Sequence, residues 1–392
     1  MSTITQFKPF VCALKANQKT FRCDQCFISV EKSIECHKCQ KYWYCSQSCL
    51  RDHWIVHQFE CDSKHGLLDV ITNKCNAPAV REESDWIKFR DLDELVTQTL
   101  LLLRILFRLK SDPKCATNEL SAADGSLVSY DLIVDQKCQQ MHKVWDEEEL
   151  EANDPDVKVE LIDEMTYNFG AWLSVVREVL DLSCIKDRIG SVEEHVLMKA
   201  FRIVVRNTLY VCDTTFLNEI GKAIYVEMCF IRHSCVPNCC PLFDGNNVLN
   251  LRQLDSNLTK CDLRYDFQIE MTGFPAQELF ESLLIRDIKC DCIKCLTNSK
   301  QSLVNLHKNV TNANLKYGNW PTLDYCHAMS EPIDEALENF VKMYGKYHPW
   351  ITALLLWKFK IEWKLYNCED DHEITGQRLF ASYQTLKDAV NI

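Results

Sequence analysis

The sequence predicts an α+β protein, and three stretches carry that prediction. Cysteine and histidine pairs crowd residues 23–61, a strand-rich stretch lies between HSCVPN (233–238) and LRYD (263–266), and apolar residues recur at helical spacing after Lys300. A further apolar run, Leu95 to Lys110, predicts an amphipathic, partly buried helix. Both helices and strands are therefore expected around a cysteine-rich segment.

Composition describes an ordinary globular protein and excludes some functions. The 392 residues are 47% hydrophobic, which allows a large core and two or three domains. The formal net charge of -12 argues against direct nucleic-acid binding, because a nucleic-acid binder needs a basic face to neutralise phosphates. The beginning of the sequence lacks the apolar region of a secretory signal, and the Leu95 to Lys110 run is too short to span a bilayer. We therefore expect no membrane association, and a location in the nucleus and cytoplasm.

The cysteine-rich segment predicts two zinc sites. In a reducing compartment, closely spaced cysteines bind metal more often than they form disulfides. A two-residue gap lets two thiolates reach one ion at about 2.3 Å, and a three-residue gap places two ligands on one face of a helical turn. The four pairs with such gaps are Cys23 and Cys26, Cys36 and Cys39, Cys45 and Cys49, and His57 and Cys61. Eight protein ligands fill two tetrahedral sites and leave no open position, so these zincs would be structural.

The pairing of these ligands is not fixed by spacing alone. An interleaved arrangement would cross-brace a segment that is too short for its own core. It would place Cys23, Cys26, Cys45 and Cys49 on one ion, and Cys36, Cys39, His57 and Cys61 on the other. His53 is the rival of His57, although its seven-residue gap to Cys61 fits a ligand pair less well. Redox-active or incidental cysteines are the remaining alternative, which four correctly spaced pairs disfavour.

A second cysteine group predicts a third zinc site. Cys290, Cys292 and Cys295 offer three ligands where a closed site needs four, and Cys235 is the natural fourth ligand. The long segment between them would close as a loop, whose entropic cost grows slowly with length. A nucleophilic pair of Cys235 with His233 is the competing hypothesis. It is disfavoured because side chains at i and i+2 of an extended segment point to opposite faces.

These motifs resemble a known family. The finger pattern, with Trp54 and the ending HQFEC, closely resembles the MYND finger, which docks short proline-containing peptides. HSCVPN, followed by LRYD and CDCIKC, resembles the core and post-SET segments of SET-domain protein methyltransferases. A MYND finger upstream of such a core is similar to the SMYD subfamily, and the likeness runs over most of the chain. It implies a SET-type β fold with an inserted finger and a C-terminal TPR-like helical domain.

The resemblance also implies a division into domains and a set of site residues. The domains would be a remnant of the N-terminal SET part (1–22), the MYND finger (23–61), a helical linker (62–200), the core SET (201–270), the post-SET zinc segment (271–296) and the helical C-terminal domain (297–392). Asn207, His233 and Asn238 match positions of the cofactor pocket or signature, and Tyr265 matches the catalytic tyrosine. An ordinary strand tyrosine is the alternative for Tyr265.

Four departures from the family pattern bear on the cofactor, S-adenosylmethionine. No GxG motif precedes the finger, and Arg232 stands where the family has an asparagine. A buried guanidinium there would repel the sulfonium of the cofactor unless a carboxylate paired with it. Arg286 and Ile288 replace a tyrosine and a phenylalanine, and DSNLTKCDL (255–263) replaces the usual glycine-acid turn.

Two hypotheses remain after these departures, and whether the chain is an enzyme stays open. The first is a protein-lysine N-methyltransferase homologue that acts on histones or other lysine-rich protein tails with impaired catalysis. The second is a non-catalytic, zinc-binding protein-interaction scaffold in transcriptional regulation. Both hypotheses share three zinc ions and the docking of proline-containing peptides through the finger.

Overall fold

The computed structural model describes residues 4–61, 67–77, 92–122, 126–133, 172–213, 219–234, 237–253, 264–265, 322–330, 332–344, 349–368 and 372–390. The strands are β1 (Ile4–Phe7), β2 (Val11–Leu14), β3 (Ile34–Glu35), β4 (Trp43–Tyr44), β5 (Leu120–Ser121), β6 (Leu127–Val128), β7 (Leu209–Cys212), β8 (Glu219–Ile224), β9 (Arg232–His233), β10 (Cys239–Phe243), β11 (Leu249–Gln253) and β12 (Arg264–Tyr265). The helices are α1 (Gln47–Glu60), α2 (Leu67–Cys75), α3 (Leu92–Ser111), α4 (Ser183–Ile189), α5 (Glu194–Asn207), α6 (Leu323–Met329), α7 (Pro332–Tyr344), α8 (Pro349–Cys368) and α9 (His372–Val390), and residues 172–180 are also helical. The predicted mixture of helix and strand is confirmed.

Small sheets pair strands that precede the finger in sequence with strands that follow it. One antiparallel sheet has the order β1-β11-β10, and another has the order β2-β8-β7. Strands β9 and β12 pair in parallel, whereas β3 with β4 and β5 with β6 form two-stranded antiparallel pairs. The N-terminal strands β1 and β2 are therefore integral to the sheets that contain β7, β8, β10 and β11.

Helix α3 lies in the middle of the largest hydrophobic cluster and contacts α1, α2, α5 and β2. The helix that the apolar run predicts is thus present. It is more deeply buried than an amphipathic helix, because the polar side chains Thr97, Thr99 and Arg104 are buried as well. None of the described helices has an apolar stretch of the length and purity that crossing a bilayer requires.

Helices α6 to α9 pack around a hydrophobic cluster of their own. The helical spacing of apolar residues predicted after Lys300 is seen in α8, where Leu354, Trp357, Ile361 and Leu365 are all buried. Helix α7 ends at Tyr344 and helix α8 begins at Pro349, and the residues between them lie outside the described part of the chain. The described residues do not establish that these helices form a TPR-like stack.

Candidate zinc centres and the signature segment

The first candidate zinc centre collects four cysteines from a turn, a strand end and a helix start. The Sγ atoms of Cys23, Cys26, Cys45 and Cys49 all lie within 4.8 Å of one another. Ser46 caps helix α1 by accepting a hydrogen bond from the backbone N–H of Cys49 at 3.2 Å, which places Cys49 in the first turn. A hydrogen bond from the Cys26 thiol, with backbone N–H groups of the turn, lowers the pKa of Cys23 to about 5. This favours the thiolate that zinc needs.

The second candidate zinc centre is fully buried. It brings together Cys36, Cys39, His57 and Cys61, with their ligand atoms again within 4.8 Å of one another. His57 and Cys61 come from the last turn and the C-cap of helix α1, as their three-residue gap predicts. Burial opposes ionisation of Cys36, but the backbone N–H of Cys39 and the ring of His57 lower the pKa of Cys36 to about 6.

Both centres have the dimensions of a tetrahedral zinc site. Bonds of about 2.3 Å from zinc to sulfur require about 3.8 Å between two sulfurs on one ion. The separations are 3.6 Å for Cys26 and Cys45 and 3.4 Å for Cys45 and Cys49. In the second centre, Cys36 and Cys61 are 3.7 Å apart. The residues present therefore fit zinc, and the two clusters support zinc binding.

The structure groups the ligands in the interleaved way and separates His57 from its rival His53. His53 is buried, but its Nδ1 lies 2.9 Å from the hydroxyl of Tyr44, and it belongs to neither ligand group. Its ring stacks on the ring of His57 at a centroid distance of 5.6 Å. His53 thus supports the finger by packing.

The first centre is fixed to the β sheets by close contacts. The turn after Cys23 puts Phe27 at a positive φ of 66° and presses its ring against Gly221 of β8. A Cβ at Gly221 would lie 2.6 Å from both the Ala13 carbonyl oxygen and a Phe27 ring carbon. Asn247, in the turn between β10 and β11, donates its backbone N–H to the Cys26 carbonyl at 3.0 Å. The finger therefore packs directly against the β sheets.

The second centre is fixed to the helices by two arginines that the sequence patterns did not single out as functional. The guanidinium of Arg104 forms two bonds to the carboxylate of Glu60, of 2.6 and 3.0 Å, and both side chains are buried. Burial raises the pKa of Glu60, but the charge of Arg104 holds it well below the usual range. Arg188 of α4 donates from one nitrogen to the carbonyls of Gln58, Phe59 and Cys61. An arginine inside an apolar run was the one available signal for Arg104.

The structure brings together two of the four residues assigned to methyl transfer. The parallel pairing of β9 with β12 sets Tyr265 opposite His233, and His233 is buried. Asn207 ends helix α5, where its side-chain amide donates to the Ile203 carbonyl at 3.2 Å. Asn238 is half-buried next to β10. The side chain of Tyr265 lies outside the described residues.

Arg232 does not occupy the position that the sequence suggested. Its side chain is exposed, so its charge is hydrated rather than buried. Adjacent residues of a strand point to opposite faces, and here His233 faces inward while Arg232 faces outward. Arg232 is therefore not the buried guanidinium that the sequence suggested, and its effect on a cofactor pocket stays a prediction.

The third predicted zinc site falls outside the described residues. This applies to all four of its ligands, Cys235, Cys290, Cys292 and Cys295, and also to Arg286 and Ile288.

Comparisons with known proteins agree with the finger and extend beyond it. The MYND finger family matches residues 23–61. Histone-lysine N-methyltransferase SMYD3 of Mus musculus is 24% identical over 289 residues, which are 71% of this chain and 53% of the relative. The Homo sapiens protein of the same name is 23% identical over 288 residues, 71% of this chain and 53% of the relative. N-lysine methyltransferase SMYD2-B of Danio rerio is 22% identical over 289 residues, 73% of this chain and 53% of the relative.

The fold and the two centres define a MYND-type zinc-finger protein of mixed helix and strand. The finger and the similarity over most of the chain together support a SMYD-family member, so the resemblance found in the sequence is confirmed. The chain spans about half the length of the curated relatives that it matches.

Proposed function

We propose that the chain is a SMYD-like protein-lysine N-methyltransferase homologue with impaired catalysis, and that its substrates are histones or other lysine-rich protein tails. The observation that carries this proposal is the parallel pairing of β9 with β12, which sets His233 beside Tyr265 in a chain similar to SMYD3 and SMYD2 methyltransferases. The proposed SET core is residues 201–270, completed by β1 and β2, and residues 271–296 would hold the third zinc. Residues 297–392 form the proposed TPR-like helical domain.

The residues near β9 fit a polar cofactor in part. Asn207 and His233 are buried polar side chains, and their backbones belong to helix α5 and strand β9. Polar groups held in this way can orient a polar ligand. S-adenosylmethionine supplies a methyl group on a sulfonium when it is bound. The chain would provide a dry channel for an uncharged lysine amine, and dipoles such as the Tyr265 hydroxyl around the methyl carbon. The departures at Arg286, Ile288 and the turn before β12 are the basis for impaired catalysis.

The net charge supports lysine-rich protein segments as substrates. A formal net charge of -12 attracts a basic protein tail at separations shorter than the Debye length, within which salt does not screen the attraction. Zinc thiolates need a reducing compartment, which is consistent with the proposed location in the nucleus and cytoplasm.

The test is calorimetric titration of S-adenosylmethionine into the zinc-loaded protein, followed by methylation of histone-tail peptides. We expect weak, saturable binding and slow methyl transfer that a Tyr265→Phe variant loses while it retains the cofactor. Because Arg232 is exposed, Arg232→Asn should bind the cofactor with unchanged affinity. Absence of binding by the natural protein and by Arg232→Asn would overturn the methyltransferase proposal.

A second candidate function is a non-catalytic docking scaffold, and the surface of helix α1 favours it. Trp54 and Ile55 are 41% and 42% exposed beside the second zinc centre. The indole of Trp54 meets the ring of His57 edge-on at 5.7 Å, so the metal centre holds it in place. Exposed, rigidly held aromatic rings are typical contacts for proline-containing peptides.

Peptide docking can be tested independently of methyl transfer. A fluorescently labelled proline-rich peptide should bind the zinc-loaded protein, and Trp54→Ala should weaken that binding about tenfold or more. Trp363→Ala, which removes an equally exposed tryptophan from α8, is the matched control. Equal weakening by both variants would exclude the finger as the docking site.

A further inference from the structure

We propose that Glu60 is a positioning residue for the second zinc centre, and that the Glu60–Arg104 pair joins that centre to helix α3 and strand β2. Glu60 is not a zinc ligand. The proposal rests on zinc binding by the finger and is independent of methyl transfer.

The ring of His57 has one nitrogen toward the zinc centre and the other away from it. Its Nε2 faces the zinc centre, 3.3 Å from the Sγ of Cys36 and 3.6 Å from the Sγ of Cys39. Its Nδ1 points away from the sulfurs, is buried, and has no hydrogen-bond partner among the described residues. A neutral histidine that binds zinc through Nε2 carries its proton on Nδ1, and a buried N–H needs an acceptor.

Glu60 supplies that acceptor. It follows His57 by three residues on the same helical face, and its Oε2 lies 3.9 Å from Nδ1. This separation is longer than a hydrogen bond, and a shift of about 1 Å brings it to the usual length. A carboxylate that receives the second N–H of a zinc-binding histidine fixes the ring and the tautomer.

Arg104 fixes the carboxylate in turn. It donates to both oxygens of Glu60, at 2.6 and 3.0 Å, and from its remaining nitrogen to the Cys12 carbonyl in β2. Each carboxylate oxygen has a second lone pair, so the oxygen at 3.0 Å can still accept from His57. The path therefore runs from His57 through Glu60 and Arg104 to the backbone of β2.

The groups packed around this path do not replace Glu60 as the acceptor for His57 Nδ1. The ring of Tyr42 packs against His57 at a centroid distance of 4.4 Å, and the nearly parallel ring of His53 stacks on it at 5.6 Å. The ammonium of Lys19 sits 3.9 Å over the Tyr42 ring and pairs with Asp24, so both charges belong to a separate pair. Among the described ion pairs, Glu60 is thus the carboxylate that lies within 4 Å of the Nδ1 atom of His57.

The first measurement needs no variant. Long-range proton–nitrogen correlation spectra of the zinc-loaded protein, labelled with ¹⁵N at histidine, report which ring nitrogen binds metal and which carries hydrogen. We expect His57, assigned through a His57→Cys variant, to bind through Nε2 and to carry its proton on Nδ1. Coordination through Nδ1 would overturn the proposal, because Glu60 would then face the wrong atom.

The second measurement uses the first centre as an internal control. In protein loaded with ¹¹³Cd, the centre with a nitrogen ligand gives a resonance distinct from that of a four-sulfur centre. Glu60→Gln should increase the rate at which a chelator removes the nitrogen-ligated ion by about 10 to 100-fold, with little change at the Cys23 centre. Glu178→Gln, which alters an exposed glutamate paired with Lys74, should change neither rate.

Glu60→Gln leaves the Arg104 charge buried without its partner, so the single variant is at risk of not folding. A double variant, Glu60→Gln with Arg104→Met, removes both charges and decides the question in that case. Selective loss of the nitrogen-ligated ion from the double variant supports a positioning role. Parental release rates from both centres of the double variant would show that the pair is structural only and overturn the proposal.

Discussion

At the scale of single residues, Gly221 shows how the finger constrains the sheet. A Cβ at this position would lie 2.6 Å from the Ala13 carbonyl, which is backbone held in the β2–β8 pairing, and 2.6 Å from the Phe27 ring. We therefore expect Gly221→Ala to destabilise the zinc-loaded protein by about 1 to 3 kcal/mol through overpacking. Denaturant unfolding followed by tryptophan fluorescence measures the change.

Gly376 provides the matched control. It lies inside helix α9, where an added Cβ would meet only the ring of Tyr366 at an ordinary 3.4 Å. Gly376→Ala should stabilise its helix by up to about 1 kcal/mol, because alanine is the better helix former. A destabilisation of equal size in both variants would show that the contact with Phe27 is not the cause.

Residue patterns predicted the ligands of the finger but not the groups that hold them. Cys23 and Cys26, or His57 and Cys61, are close in sequence, so their spacing alone restricts what they can bind together. Arg104 reaches Glu60 across 44 residues, and Arg188 reaches the end of α1 across 127 to 130. No local pattern encodes such contacts, since they depend on how whole helices pack.

At the scale of elements, helix α1 is fixed at both ends. Ser46 holds its first turn, and the guanidinium of Arg188 interacts with the carbonyls and negative dipole of its last turn. We expect Arg188→Met to lower the unfolding free energy of the zinc-loaded protein by about 1 to 3 kcal/mol, because partly buried carbonyls lose a charged donor. The thermal midpoint of the zinc-loaded protein follows this change.

Arg177→Met is the control for removing an arginine without removing this cap. Its partner is Glu194, and the two side chains are about half exposed, so we expect an effect below about 1 kcal/mol. A midpoint that falls equally in both variants would contradict the role assigned to Arg188.

Elements with a local signal were predicted well, and pairings between distant elements were not. Helical spacing after Lys300 predicted helices such as α8, because side-chain periodicity acts within a few residues. The pairing of β1 with β11 joins residues about 240 apart, and short strands of four or five residues carry no register of their own. The resemblance to SET domains was therefore needed to place the N-terminal strands with β7, β8, β10 and β11.

At the scale of the whole molecule, the described residues divide into two parts. One part contacts the finger, and the other has a separate hydrophobic cluster. The finger meets β8 through Phe27, the β10–β11 turn through Asn247, and α3 through Glu60. Helices α6 to α9 enclose a cluster of buried residues taken from 326–365. Stability should therefore depend on zinc in one part and not in the other.

Removal of zinc tests this division directly. After chelation, the amides of α1, β2, β8 and α3 should exchange hydrogen at least about tenfold faster, because zinc supplies most of the folding energy of the finger and Arg104 loses its ordered partner. The amides of α8 and α9 should keep their protection. Hydrogen exchange read by mass spectrometry, with and without chelator, resolves the two sets of peptides. If α8 and α9 lose protection together with β2, the protein is one cooperative unit. If β2 and β8 keep theirs, the finger is a separate module whose contacts with the sheets contribute no stability.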